Sequence, residues 1–308
     1  MKEKNSDNIT LTEAKSALLR SGYLLEGRVE QLLLEKDYYV EANAVYPDPS
    51  TQKSREFDLQ ASKSHALEGK FGNWVKSNLV IECVNNPQPI AFITKKAPSP
   101  ERLSENIKFN GVPTSIRDTK LLTFSNRSKD DLRLSTDDFL EMSTYHHYCS
   151  GKVATQFCSF TKKKNQDEWM ASHDDTHFES FQKLCDVIDY FLTKTKDDWS
   201  FSSLRAVSLQ FFYPLIVVQG ELLEVRVNKK RGLAFQKAKH IQFTRTTIQK
   251  TEPTTYQIDI VAESYLPEYL KIIDEEMLET IKRIKNNIDA MNIAIEENIK
   301  ASLPIAFI

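Results

Sequence analysis

The sequence predicts a mixed α/β fold in which a central sheet is flanked by helices. Three observations carry this: helical apolar spacing over residues 10–36, a series of short strand-like runs directly after it, and a long apolar stripe at helical spacing near the end. A β-rich part and a terminal helix over residues 204–308 elaborate this plan. The whole, 1–308, reads as a single elaborated domain, because no internal repeat, low-complexity tract or interdomain linker divides it.

The first helical pattern can be capped by Thr10 or Thr12, carries Leu11, Ala14, Ala17 and Leu18 on one face, and can end at Gly22. A second runs from Tyr23 to about Lys36 with Leu25, Val29, Leu32 and Leu33 on a wide apolar face. Strands are expected at Tyr38–Tyr46, Glu56–Ala61, Asn78–Val84 and about Pro89–Thr94. Pro47-Asp48-Pro49-Ser50 separates the first two, and Leu79-Val80-Ile81 has the continuous apolar character of a strand covered on both faces. Patterning weakens from 97 to 200, where prolines 98, 100 and 113 and the charged Lys129-Asp130-Asp131 interrupt it. One helix stands out there, Thr176–Thr195, striped by Phe178, Phe181, Leu184, Cys185, Ile188 and Phe191. Beyond 204, Tyr213–Val218 and Glu221–Val227 flank Gln219-Gly220 as a hairpin would, with further strands at Ile241–Thr246 and Tyr256–Ala262. A single long helix, Pro267–Lys300, closes the chain. Its stripe (Leu270, Ile273, Met277, Ile281, Ile284, Ile288, Ile295) fits packing on the body of the protein, or a seam with a second copy or protein partner.

Composition sets outer bounds. Apolar residues make up 40% and charged residues 27%, the mixture of a globular protein. Lys and Arg number 41 against 43 Asp and Glu, a formal charge of −2, so the total gives no reason to expect a polyanionic partner. No apolar run reaches the ~18 residues that suggest a membrane span. The start, MKEKNSDNIT, lacks the apolar stretch of a secretory signal, and four cysteines are too sparse for a disulfide framework. The expectation is a cytoplasmic protein without a membrane partner.

Three carboxylates carry the chemistry. Asp58 lies inside the run Arg55-Glu56-Phe57-Asp58-Leu59, and Glu82 ends the apolar Leu79-Val80-Ile81. A carboxylate closing a buried strand is costly unless it is paired or bound to a cation. With Glu26 from the preceding helix, the set is oxygen-rich and suited to Mg²⁺.

The order Ser21-Gly22-Tyr23-Leu24-Leu25-Glu26, Val29, Leu32-Leu33, Tyr39-Val40, Arg55-Glu56-Phe57-Asp58-Leu59, Val80-Ile81-Glu82-Cys83 resembles the PD-(D/E)XK, or restriction-endonuclease-like, nuclease superfamily. It is most similar to the type IV restriction and Holliday-junction-resolvase-like branch. The resemblance spans residues 12–94. It implies a restriction-endonuclease-like mixed sheet and a hydrolase with Glu26, Asp58 and Glu82 as catalytic acids. It also implies Mg²⁺ (or Mn²⁺) held by Asp58, Glu82 and the main-chain carbonyl of Cys83. The motif departs at its third position, where Glu82-Cys83-Val84 has valine instead of lysine. Asn86, on the same strand face as Glu82, and Lys95 or Lys96 from beyond the next apolar segment are the available substitutes. Lys76 also shares that face but lies six residues back, ~20 Å along a strand.

Nucleic acid is the expected partner, probably DNA under this resemblance, through a stretch from Arg226 to Lys250 that holds eight basic and no acidic residues. Arg226, Lys229, Lys230, Arg231, Lys237 and Lys239 are its candidate phosphate contacts, with Arg245 and Lys250 beyond them. The same stretch also fits a solvated face that balances the acidic terminal helix. His146, His147, Cys149 and Cys158 cluster at spacings that match no common zinc site, and Lys162-Lys163-Lys164 reads as a solvated loop. Two functions follow: a metal-dependent endonuclease, with restriction or phage defence as its setting, or a catalytically inactive nuclease fold kept as a DNA-binding or scaffold protein. Val84 separates them.

Overall fold

A computed structural model of the chain describes residues 8–20, 23–49, 51–67, 73–117, 133–162, 168–172, 175–199, 206–228, 232–249 and 252–302. Helix α1 (Leu11–Arg20) is opened by a reciprocal box: the Glu13 N–H donates to Thr10 Oγ1 at 3.2 Å, and the Glu13 carboxylate accepts from the Thr10 N–H at 2.9 Å. Its expected apolar face is not covered, and Leu11 and Leu18 are exposed. Helix α2 (Tyr23–Glu35) buries Leu25, Val29 and Leu33, each worth ~1.5–3 kcal/mol relative to exposure. Gly22, Lys129-Asp130-Asp131, Lys163 and Lys164 lie outside the described residues.

The strands that follow are β1 (Tyr39–Pro47), β2 (Ser54–Ala66), β3 (Trp74–Asn85) and β4 (Ile90–Lys96). Short elements come next: α3 (Pro100–Ser104), β5 (Lys108–Asn110), β6 (Ser115–Arg117), β7 (Arg133–Ser135) and α4 (Thr136–Phe139). The second half contains β8 (Lys152–Lys162), β9 (Trp169–Ser172), α5 (Asp175–Trp199), β10 (Ser208–Gln219), β11 (Leu222–Val227), β12 (Leu233–Ala238), β13 (His240–Gln249) and β14 (Glu252–Ala262), then α6 (Leu266–Asn286) and α7 (Ile288–Ser302). Among the described residues this is a mixed α/β protein with seven α-helices and one large mixed sheet of twelve strands.

The sheet runs β1-β2-β3-β10-β14-β13-β8-β4-β11-β12, with β5 beside β10 and β9 beside β8. The late strands therefore extend the first sheet, since β10 lies between β3 and β14 and is parallel to both. Pro214 marks where β10 changes neighbours. The antiparallel β5 pairs with Gln210–Phe212, β14 takes over from Leu215, and the residue lacking an N–H falls between the two.

Two sequence expectations fail here. Gln219-Gly220 is no hairpin turn, because β10 pairs with β3 and β14 whereas β11 pairs with β4 and β12. Gly220 is needed for another reason: a Cβ there would lie 2.6 Å from the Asn86 carbonyl oxygen. The terminal helix is also two helices. Asn287 breaks it, with φ −131° and a side-chain amide that donates to the Arg283 carbonyl at 2.9 Å, the local competition that disfavours Asn inside helices.

The sheet has a core on each face. Ile81, Leu215 and Val261 point toward α2 and α6, alongside Leu25, Tyr269 and Met277. Val80, Ile216 and Ile260 point toward α5, alongside Phe181, Leu184 and Ile188. The terminal stripe is covered within the chain, since Leu270, Ile273, Met277, Ile284 and Ile295 belong to the first core. No described helix is long and apolar enough to cross a membrane.

Candidate functional site

The antiparallel ladder between β2 and β3 stops at Leu59 opposite Ile81. The next free donor on β3, the Cys83 N–H, is taken by Asp58 Oδ2 at 2.7 Å, so the carboxylate continues the ladder where the backbone leaves it. One residue earlier, Glu82 is in register with Ile216 and shares its α5 face, and only 4% of it is exposed. Asp58 and Glu82 thus lie on neighbouring strands where the pairing between β2 and β3 ends. Glu26 approaches from α2, whose apolar face packs on the other side of the same strands. Cys83 joins this site through its N–H.

Helix α5 supplies what the motif lacks. Lys183 Nζ lies 2.8 Å from each carboxylate oxygen of Glu82 and donates to Oε2. Burial, and then the charge of Asp58, push the Glu82 carboxyl up to about 7, with Lys183 pulling the other way. Burial also raises Asp58, opposed by the Cys83 N–H and Lys183. Glu26 is raised by burial and then by Asp58. The three acids and the lysine therefore act on one another. Even so, the acids do not all come within 4.8 Å of each other, the spacing at which other carboxylate and histidine groups in the protein meet.

The substitutes read from the sequence are elsewhere. Lys95 and Lys96 are exposed at the far end of β4, five strands along the sheet from β3, opposite Val153 and Lys152. Asn86 leaves β3 with its N–H on the Gln219 carbonyl. Val84 faces α5 beside Phe92, Phe157, Phe181 and Ile216, around a void of about 10 Å³. An ammonium on that side chain would be desolvated among aromatic rings, so the cation reaches Glu82 from the helix instead. The residues concerned are 101 positions apart in sequence, and nothing local to either one announces the pair.

The basic stretch is divided. Arg226 pairs with Glu224 at 3.0 Å and Lys237 with Glu221, both at the β11–β12 edge. Lys239 lies 5.9 Å from the Tyr265 ring, and Lys229, Lys230, Arg231 and Lys250 lie outside the described residues. Arg245 is the member that reaches α5. It stacks 4.1 Å from the Phe178 ring and donates to Gln182, the neighbour of Lys183, at 3.0 Å.

A second polar centre, missed in sequence, occupies the opposite face. Asp259 is in register with Leu215 and is fully buried. His147 bridges Asp259 Oδ2 (3.0 Å from Nε2) and Glu276 Oε1 (2.6 Å from Nδ1), and His240 Nε2 lies 2.6 Å from Asp259 Oδ1. Tyr269 donates to Asp259 at 2.7 Å and Tyr213 to Glu276 at 3.1 Å. Burial works against charge on His147, but Glu276 and Asp259 outweigh it and push the imidazole up to about 10. Burial drives the neighbouring His146 down to about 4. The two cysteines that lie near these histidines in sequence take no part in the centre. Cys149 packs into the α6-side core and Cys158 sits on β8 opposite Ala91. His146-His147 was the only part of this centre visible in sequence, since its partners lie from 66 to 130 residues downstream.

Compared with protein-family models, curated proteins and solved structures, the chain matches none of them.

Proposed function

We propose that the protein is a Mg²⁺- or Mn²⁺-dependent nuclease with a restriction-endonuclease-like core, acting on DNA in the cytoplasm. The observation that carries the reading is the contact between Lys183 and Glu82 beside Asp58. It restores the acid-plus-lysine constellation that Val84 breaks in the linear motif. The donor set suits a hard cation, because Glu82 and Asp58 are two carboxylates close enough to act on each other. Glu82 and Asp58 would hold the ion, and Glu26, farther away, would orient water or a second ion. When bound, such an ion polarises a phosphodiester and acidifies water. Lys183 places positive charge where negative charge develops on the attacked phosphate, and Arg245 extends that charge along α5. The four cysteines are all unpaired, in keeping with a reducing compartment.

The alternative, an inactive scaffold, is favoured by one observation: in the metal-free geometry Lys183 neutralises Glu82, and Glu26 stands outside ligand distance. Nicking of supercoiled plasmid in millimolar Mg²⁺ separates the two readings. The nuclease reading expects cleavage by the wild type and its loss in Asp58→Asn, whose amide oxygen still accepts from Cys83 so that the fold is kept. Cleavage that survives Asp58→Asn, or a folded wild type that never cleaves, contradicts it.

A further inference from the structure

Asp259 and Glu276 form a buried pair of carboxylates, 0% and 4% exposed, and among the described residues neither is ion-paired to a lysine or arginine. Two negative charges in so dry a setting need matching positive charge. The groups that face them are imidazoles and phenols: His146 and His147 from the turn at residues 146–149, His240 at the start of β13, Tyr213 on β10 and Tyr269 on α6. Proton-bearing imidazoles can supply the charge. One divalent cation supplies it in full, leaving the imidazoles neutral as ligands.

Geometry favours the cation. His147 Nε2, His240 Nε2 and an Asp259 oxygen all lie within 4.8 Å of one another. His147 Nε2 lies 3.0 Å from Asp259 Oδ2 and His240 Nε2 2.6 Å from Oδ1, so both imidazoles converge on one carboxylate, where a cation can take the place of the bridging protons. His147 is fixed from behind, because its Nδ1 meets Glu276 and its carbonyl accepts from Gln242 at 2.6 Å. A carboxylate on the remote ring nitrogen is the usual outer support of a metal-bound histidine. Finally, His147 and His240 line an open cleft of about 370 Å³, whose other walls include Thr94, Lys152 and Glu224. Three protein ligands on one side and a cleft on the other make an open coordination site, the arrangement that leaves a position for water or a small ligand.

We infer that His147, His240 and Asp259 bind one divalent transition metal of the zinc type, that Glu276 positions His147, and that the open side of the ion faces the cleft. Two imidazoles select such a metal over Mg²⁺. The site is distinct from the one proposed for the nuclease: Glu82 is in register with Ile216 and Ile260, and Asp259, one residue along β14 from Ile260, projects from the opposite face.

The test uses full-length protein stripped with chelator and titrated with Co²⁺, which reports its ligands through visible d–d absorption. One Co²⁺ per chain is expected. The spectrum should persist in Asp58→Asn and be lost in His240→Gln, a partly exposed position where an amide can keep the hydrogen bond to Asp259. Glu276→Gln should weaken Co²⁺ binding by ~10–100-fold without changing the number of ions bound. A melting curve for each variant shows that it is folded. Absence of a Co²⁺ spectrum from folded wild type, or a spectrum unchanged in His240→Gln, overturns the inference. If Co²⁺ binding disappears in Asp58→Asn alone, the metal belongs to the acidic site and the inference is wrong, while the nuclease reading is untouched.

Discussion

The two faces of the sheet treat buried carboxylates in opposite ways. At the β2–β3 end, Glu82 sits beside like-charged Asp58 with one lysine in reach, and it is pushed up to about 7. On the α6 side, Asp259 is more deeply buried but lies between His147 and His240 and is held well below the ordinary carboxylate range. Burial raises both. What separates them is the company each keeps: hydrogen-bonding imidazoles around Asp259, a competing acid next to Glu82. A carboxylate held ionised in a dry site by several partners ties the fold together. One poised near neutrality is ready to exchange its proton for something else.

The comparison breaks most sharply at Glu276. Replacing it with alanine strands His147 between one acid and a void, removes the acceptor of Tyr213 and leaves Asp259 alone to balance the imidazoles. Loss of one partner of a buried ionic network costs ~3–5 kcal/mol, and chemical denaturation should show a fall of that size. A destabilisation below ~1 kcal/mol would mean that the network is not what secures α6 to the sheet.

Val84→Lys should be the next most damaging change. It puts an ammonium among Phe92, Phe157 and Phe181, and the expected loss is above ~2 kcal/mol with no gain in cleavage. A stable Val84→Lys protein that cleaves faster than wild type would show that the linear motif position, and not α5, is the proper place for the lysine.

A smaller, pH-dependent effect sharpens the other side. The folded Glu82 holds its proton up to about 7 against an ordinary 4.5, so the native state binds the proton more tightly than the unfolded chain. Stability from this group is therefore present at low pH and lost as pH rises from about 4.5 to about 7, by roughly 3 kcal/mol at ~1.4 kcal/mol per pH unit. Glu82→Gln has nothing to titrate. Its stability relative to wild type should be level near pH 4.5 and rise in its favour by pH 8. A difference that is flat across that window would put the Glu82 carboxyl back in its ordinary range.

Much of this was legible in sequence, and the gaps have physical causes. Leu25, Val29 and Leu33 announced α2, and Leu79-Val80-Ile81 announced a strand buried on both faces, because each pattern reflects contacts made within one element. Asp58 and Glu82 stood out as acids in apolar strands. Lys183 did not, because its role is set by how α5 lies across the sheet, which no local period encodes. The Arg226–Lys250 stretch looked uniform in sequence, yet strand pairing sends Arg226 and Lys237 to acidic neighbours at the sheet edge and Arg245 to α5. Gln219-Gly220 had the composition of a turn. Its glycine instead admits the Asn86 carbonyl, a contact across 134 residues.

The central claim is that Lys183 completes the acidic site, and the most direct measurement is the rate of Mg²⁺-dependent plasmid nicking by Lys183→Met beside wild type. Methionine keeps the length and apolar stem of the side chain, and a melting curve checks that the variant is folded, since the buried Glu82 loses its cation. Losing one such electrostatic contact to a transition state typically costs ~10²–10³ in rate, and the account predicts a loss of that size. Equal rates for the two proteins, with both folded and both dependent on Mg²⁺, would contradict it.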